Sequence, residues 1–145
     1  MGSTINLSLL SKDKINKLLT PIIFCINENK VSSYTKGYND LCINEILSKQ
    51  LLIYERDKRN LFVADELNKI IDNSEGPLLI RDFGILFNPE YQLDVLKLFI
   101  LANRKKEIAV LWSGRYEDGK LLFAEPGYID YKSYNITDYD ITCII

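Results

Sequence analysis

Histidine is absent from this sequence, and its absence limits the chemistry that the chain can perform. Without histidine there is no Ser-His or Cys-His nucleophile pair, and the commonest ligand of transition metals is missing. Three cysteines, Cys25, Cys42 and Cys143, are an odd number without CxxC spacing, which indicates neither a disulfide framework nor a zinc site. We therefore expect buried thiols, no bound metal, and any catalysis to depend on Asp, Glu, Lys, Arg or Tyr.

Long apolar runs and a basic surplus are missing as well. No apolar segment approaches the roughly 20 residues that span a bilayer, and no basic segment leads into a continuous apolar stretch at the N-terminus. The net charge of -2 argues against tight, sequence-independent binding to nucleic acid, unless the lysines cluster on one face. We expect a cytoplasmic protein that does not contact a membrane.

What the chain does contain is typical of one folded domain. Its 145 residues are 47% hydrophobic and 26% charged, with only four prolines. A chain of this length can remove roughly 68–70% of its unfolded surface from water. We therefore expect residues 1–145 to form a single domain.

Helical and extended patterns alternate along most of the chain. Strands are indicated by continuous apolar, β-branched runs such as "PIIFCI", and helices by apolar residues at a spacing of three or four. The patterns predict helices at residues 7–19, 38–50, 61–72 and 89–106, and strands at residues 22–26, 51–55, 78–82, 107–112 and 139–145. In "RYEDGKLLF", Asp118-Gly119 between alternating residues predicts a β-hairpin.

This alternation predicts an α/β fold in three layers, with a mostly parallel sheet and a β-hairpin that extends its C-terminal edge. Ligands of such sheets bind beyond the carboxyl ends of the strands. A site is therefore expected in the loops that follow the predicted strands, at residues 27–39, 56–60, 83–90 and 113–118. The basic residues 104–106 are expected to stabilise the end of their own helix, at 89–106.

The loop after the first predicted strand lies where a phosphate-binding loop would lie, but it lacks the required residues. Such a loop reads GxxxxGK[ST], whereas the corresponding octet is "NENKVSSY". All four signature positions differ: Asn27, Ser32, Ser33 and Tyr34. Hydroxyl and ammonium groups can also bind an anion at a helix N-terminus without glycines. The candidates for such binding are Ser32, Ser33, Thr35 and Lys36; the alternative is that they cap a following helix.

Asp82, at the end of the strand at 78–82, is the one candidate for the carboxylate that holds Mg²⁺ near a bound phosphate. It is also the one catalytic candidate. Because Arg81 precedes it, an ion pair between Asp82 and an arginine is the structural alternative.

Several segments of the second half are more distinctive. A strand runs into "ILFNPE", a helix ends in "NR", a strand reaches "VLWSG", and "GKLLFAEPGYIDYKSY" follows. Together with "NLFVADELNKIID", these segments resemble the small P-loop-type BrxF proteins of bacteriophage exclusion (BREX) defence systems. The resemblance covers roughly residues 50–145, and "FAEPGYIDY" is its most specific part.

The resemblance implies a P-loop NTPase type of fold and a bacterial protein that acts beside other defence proteins against phage. It does not extend to the phosphate loop, and Arg81 falls where the family's acidic residue is expected, with Asp82 displaced by one. The leading hypothesis is therefore a degenerate, non-catalytic or weakly nucleotide-binding member that acts through protein contacts. The only cofactor that this hypothesis admits is ATP with Mg²⁺.

Aromatic, arginine and acidic residues crowd the hairpin and the segment after it, as they do in protein interfaces. They predict a surface for other defence proteins or for further copies of the chain; covering the sheet edge is the alternative role. The residues are Trp112, Arg115, Tyr116, Glu125, Tyr128, Tyr131 and Tyr134.

Two other hypotheses remain open. The first is an active NTPase or nucleotide sensor that uses Thr35, Lys36 and Asp82. The second is a DNA-binding accessory domain, and its basic candidates are Lys12, Lys14, Lys17 and residues 104–106.

Overall fold

Six parallel strands form the central sheet of the protein in the computed structural model, which describes all 145 residues. In chain order, the strands are β1 (Ser3–Ile5), β2 (Ile22–Phe24), β3 (Asn39–Cys42), β4 (Leu78–Arg81), β5 (Ile108–Leu111) and β9 (Thr142–Ile144). Their spatial order is β1-β9-β2-β5-β4-β3, and every neighbouring pair is parallel. The prediction of an α/β fold with a mostly parallel sheet is confirmed.

Both faces of this sheet are buried, which explains why its central strands β2, β4 and β5 are apolar apart from Arg81 at the end of β4. Ile23, Ile80 and Val110 point into the larger core, beneath three helices, whereas Phe24 and Leu79 point into a smaller core on the opposite face. The helices over the larger core are α2 (Ile43–Leu51), α3 (Arg59–Asp72) and α4 (Val95–Asn103). The smaller core is covered by α1 (Lys12–Lys17) and by the loop at residues 25–38.

The segment at 38–55 differs from its prediction. Residues 39–42 form β3, which pairs with β4 in the register Leu41↔Ile80, and α2 begins directly after it. The predicted strand at 51–55 is wrong: α2 continues to Leu51 and a turn follows. Leu52 and Ile53 are 69% and 77% exposed, so this apolar run is not part of the buried sheet. A short apolar run by itself does not distinguish a strand from a helix end.

The first and the last of the predicted helices are both shorter than expected. The helix predicted at 89–106 begins only at Val95, where the Asp94 side chain accepts a hydrogen bond from the Lys97 N–H. Pro89 begins a separate 3₁₀ turn. The left-handed backbone of Gln92 (φ 50°) separates this turn from α4. Residues 7–19 divide in the same way, into a 3₁₀ turn at 7–9 and α1.

Two of the three basic residues after α4, Lys105 and Lys106, stabilise a different helix from the one predicted. The Lys106 ammonium donates to the carbonyl oxygens of Ile71 and Asp72 at 2.7 and 2.8 Å, and also to that of Ser74. Lys105 pairs with the Asp72 carboxylate at 3.4 Å. These carbonyl groups belong to the end of α3, so the positive charge complements the dipole of α3 rather than that of its own helix.

The predicted hairpin forms, but it does not extend the central sheet. Strands β6 (Arg115–Glu117), β7 (Lys120–Phe123) and β8 (Lys132–Asn135) make a separate antiparallel sheet in the order β6-β7-β8. Asp118 and Gly119 have φ values of 47° and 77°, so the turn between β6 and β7 is of the predicted kind. The third strand, β8, is absent from the prediction because "KSYN" has only one buried side chain, Tyr134.

Candidate functional site

An open cavity of about 200 Å³ lies at the carboxyl ends of the central strands. From β2 the chain crosses to β3 at one edge of the sheet, whereas from β5 it crosses in the opposite direction to β9. Open parallel sheets bind ligands at the point where the direction of the connections reverses, here between β2 and β5. The cavity is lined by Ile26, Glu28, Arg81, Asp82, Leu111, Trp112 and Ser113. Three of the four loops predicted to carry a site, those at 27–39, 83–90 and 113–118, begin at or beside this edge.

The fourth predicted loop, 56–60, lies elsewhere because the strand expected before it does not exist. It joins α2 to α3 and borders a wide cleft of about 600 Å³ lined by Arg56, Asp57, Asn60 and Glu90. No strand end and no apolar side chain lines this cleft. The cavity at the carboxyl edge is smaller but combines apolar walls with charged groups, as ligand sites do.

Arg81 dominates the electrostatics of the cavity. It is the last residue of β4, its side chain is only 23% exposed, and its Nη1 donates a hydrogen bond to the Glu28 carboxylate. Its Nη2 lies 3.6 Å from the Asp40 carboxylate on β3. Burial by itself would lower the pKa of Arg81, but Glu28 and Asp40 outweigh that effect and raise it. The predicted ion pair between Asp82 and an arginine is therefore wrong, because Arg81 pairs with Glu28 and Asp40 instead.

Asp82 lies at the rim of the cavity in a left-handed backbone conformation (φ 49°), which residues other than glycine rarely adopt. Its carbonyl oxygen accepts a 2.6 Å hydrogen bond from the Asn44 N–H, which holds the start of α2 against the strand end. Its side chain is exposed. Burial, followed by the proximity of Asp82, raises the pKa of the Cys42 thiol. No group of three or more Cys, Asp or Glu side chains in the structure is spaced to hold a metal ion.

Two of the other nucleotide-binding candidates, Thr35 and Lys36, lie away from Asp82. Asn39 N–H donates to the Pro77 carbonyl oxygen at 2.9 Å, and the Tyr38 hydroxyl donates to Glu107 at 3.1 Å. Pro77 and Glu107 precede β4 and β5, so the end of this loop lies at the amino edge of the sheet. Thr35 and Lys36 immediately precede it, whereas Asp82 lies beyond the opposite end of a four-residue strand about 13 Å long.

No helix follows the serines and the threonine in this loop. Thr35 Oγ1 donates to the Val31 carbonyl oxygen within the loop itself at 3.3 Å, and Ser32 and Ser33 are exposed. The next regular element is β3. Both the predicted anion site at a helix N-terminus and the predicted helix cap therefore lack their helix. The single apolar residue of the polar stretch, Val31, is buried over the smaller core and fixes the path of the loop.

Two residues of the predicted interaction surface are buried. Trp112 Nε1 donates to the Leu122 carbonyl oxygen at 3.0 Å, and its ring lies 5.7 Å from that of Phe83 and 5.8 Å from that of Phe87. Tyr134 packs against the same core from β8. Both aromatic rings pack between the small sheet and the large one. They therefore have the alternative role given above, which is to cover the sheet.

The exposed part of that surface is a hydrogen-bonded loop at residues 124–131, between β7 and β8, which we name the Tyr128 loop. Arg115 holds its base by donating to the Ala124 carbonyl oxygen at 3.3 Å and to Glu125 at 2.9 Å. Tyr128 N–H donates to the Glu125 carbonyl oxygen, and Tyr131 N–H to that of Tyr128. Tyr128 and Ile129 are 68% and 86% exposed at its tip. Ile129 is the residue that the sequence pattern did not indicate. Tyr116 and Tyr131 are half-buried beside them.

The basic candidates for DNA binding are only partly free. The three lysines of α1 are exposed, and Asn103 donates to the Leu19 carbonyl oxygen at 3.1 Å, which brings the end of α4 close to the end of α1. Arg104 is exposed nearby, but it shares that surface with Asp140. Lys105 and Lys106 are engaged at α3.

Comparisons of this chain with protein-family models, curated proteins and solved structures give no match. None of the helices has the length and apolar character needed to cross a membrane.

Proposed function

We propose that this chain is a P-loop-like accessory protein of a BREX-type anti-phage defence system, and that it acts through protein contacts without hydrolysing nucleotide. The parallel sheet and its cavity at the carboxyl edge agree with a P-loop-like ancestry, and the segments around "FAEPGYIDY" suggest the defence role. The observation that carries the proposal is the Glu28–Arg81–Asp40 ion-pair network at the edge where a nucleotide would bind.

Three features of that edge oppose hydrolysis. The loop after β2 contains only a 3₁₀ turn, Glu28–Lys30, so no α-helix directs its N-terminal N–H groups at a phosphate. The negative carboxylate of Glu28 lies where the negative phosphate groups of a nucleotide would bind, and it would repel them. Lys36 and Asp82, the residues of the NTPase hypothesis, lie at opposite edges of the sheet.

Mg-ATP is expected to leave the midpoint of thermal unfolding unchanged. A ligand present at 100 times its dissociation constant stabilises the folded state by about 2.7 kcal/mol. In a domain of this size, that corresponds to a rise of roughly 5–10 °C. Differential scanning fluorimetry at millimolar Mg-ATP, with an active P-loop ATPase as positive control, measures this directly. A rise of several degrees would favour the nucleotide sensor instead, and loss of that rise in Lys36→Ala would assign it to the loop.

The double substitution Tyr128→Ser and Ile129→Ser is expected to weaken binding to a partner protein at least tenfold while leaving the fold intact. Removing two large apolar anchors from an interface costs well over the 1.4 kcal/mol that corresponds to a factor of ten. Because both side chains are exposed, we expect stability to change by less than about 0.5 kcal/mol. Binding is measured by biolayer interferometry with each purified protein encoded beside this chain.

The chain offers a matched control at the other exposed apolar pair, Leu52 and Ile53 after α2. Their double substitution to serine removes similar apolar area from a different surface and should leave binding unchanged. If both double variants bind as the unmodified protein does, the Tyr128 loop is not the contact surface.

A further inference from the structure

We propose that Arg81 forms a binding site for a small oxyanion and that the carboxylate of Glu28 occupies this site from within the chain. Displacement of Glu28 would open the site to a phosphate group. This inference concerns the cavity at the carboxyl edge and is independent of the surface through which the protein contacts its partners.

The guanidinium group is held ready for such a ligand. Arg81 is anchored at the end of a central strand, and its side chain is mostly buried between β3 and the loop after β2. Its Nε is inaccessible to solvent and has no hydrogen-bond partner, so a ligand would meet the group through Nη1 and Nη2. A planar guanidinium favours a ligand with two oxygen atoms, and carboxylate and phosphate are the two that match it.

Glu28 is suited to leave this position. Its side chain is 60% exposed, and it belongs to a single 3₁₀ turn that contains no buried residue. Moving it therefore costs little packing. Asp40 is a weaker competitor because it lies 3.6 Å from Nη2 and is itself 61% exposed on an edge strand. The one carboxylate hydrogen-bonded to Arg81 can thus move at little cost in packing.

The cavity beside Arg81 suits a small ligand. It is an open recess of about 200 Å³, smaller than the roughly 300–1,000 Å³ of sites that enclose drug-sized ligands. Leu111 and Trp112 provide apolar walls that strengthen an ion pair by excluding water. Ser113, at the rim, adds a hydroxyl donor. These features fit a single phosphate group, either as the free ion or as the terminal group of a longer ligand.

The test compares inorganic phosphate binding by the unmodified protein and by Glu28→Gln. Trp112 is the only tryptophan and lines the cavity, so its fluorescence reports binding, and calorimetry checks the affinity. We expect Glu28→Gln to bind phosphate about tenfold more tightly, because a charge-assisted hydrogen bond to Arg81 becomes free for the ligand. The matched control is Glu55→Gln, which removes the same charge from an exposed pair with Lys58 at the far end of α2.

Adding Arg81→Gln to Glu28→Gln should abolish the gained binding, and circular dichroism of each variant confirms that it is folded. Equal phosphate affinity in Glu28→Gln and the unmodified protein overturns the proposal, as does binding that persists without Arg81. A parallel titration with ADP separates the two sources of phosphate. Weaker binding of ADP assigns the site to the free ion, whereas tighter binding of ADP supports the oxyanion site while counting against a function without nucleotide.

Discussion

Replacing Phe87 by alanine is expected to lower the free energy of unfolding by about 3–5 kcal/mol, as for other large aromatic side chains in cores. Phe87 is 1% exposed and lies between the two sheets. Its ring stacks on that of Phe123 at 3.9 Å and meets that of Trp112 edge-on at 5.8 Å. The alanine variant would leave a cavity where the small sheet attaches to the large one. Urea unfolding followed by circular dichroism measures the loss.

Phe62 provides the matched control for this substitution. It also stacks on a neighbouring ring, that of Tyr54 at 4.3 Å, but it is only half-buried on the surface of α3. Phe62→Ala is therefore expected to cost only about 1–2 kcal/mol, because less area returns to water and no closed cavity forms. Equal losses in the two variants would show that the contact of Phe87 between the sheets adds nothing beyond aromatic stacking.

The strands of the central sheet could be predicted where their sequence was unambiguous. Residues 22–24, 78–80 and 108–111 are continuous apolar runs, and burial on both faces requires that pattern. The edge strand β3 could not be predicted in this way, because only Leu41 among its four residues is buried. The exposed Leu52 and Ile53 gave the same apolar signal without a strand, so hydrophobicity misled the prediction at both places.

The candidate site was predictable in position but not in composition. Parallel strands direct their carboxyl ends to one edge, and that rule placed Asp82 correctly at the end of β4. The ion pair that fills the cavity joins Arg81 to a residue 53 positions earlier in the chain. Glu28 lies in a loop without periodic structure, so neither spacing nor propensity indicates its partner. The position of Lys36 at the opposite edge of the sheet was not predictable either. It follows from the course of the loop after β2, in which Val31 is buried.

Gly114→Ala is expected to destabilise the protein by about 2–6 kcal/mol, because the small sheet could no longer dock as it does. A Cβ atom at this position would lie 1.7 Å from the Leu122 carbonyl oxygen and 2.9 Å from Trp112 Nε1. These two atoms form the hydrogen bond that fastens β7 to the end of β5. Overpacking costs about 1–3 kcal/mol, and a buried donor left without its partner costs about 1–3 kcal/mol more.

Gly119→Ala separates this steric effect from the general cost of replacing a glycine. Gly119 has a φ of 77°, and no atom lies within 4 Å of the point that a Cβ would occupy, so alanine there adds only the backbone penalty of about 1–2 kcal/mol. Urea unfolding of the two variants, followed by the fluorescence of Trp112, compares them directly. Gly114→Ala should also shift the emission of Trp112 to longer wavelength, because its indole loses a buried partner and gains water. Equal stability and unchanged emission in the two variants would mean that β7 does not approach Gly114 closely. The attachment of the small sheet would then depend on the aromatic contacts of Phe87, Trp112 and Tyr134.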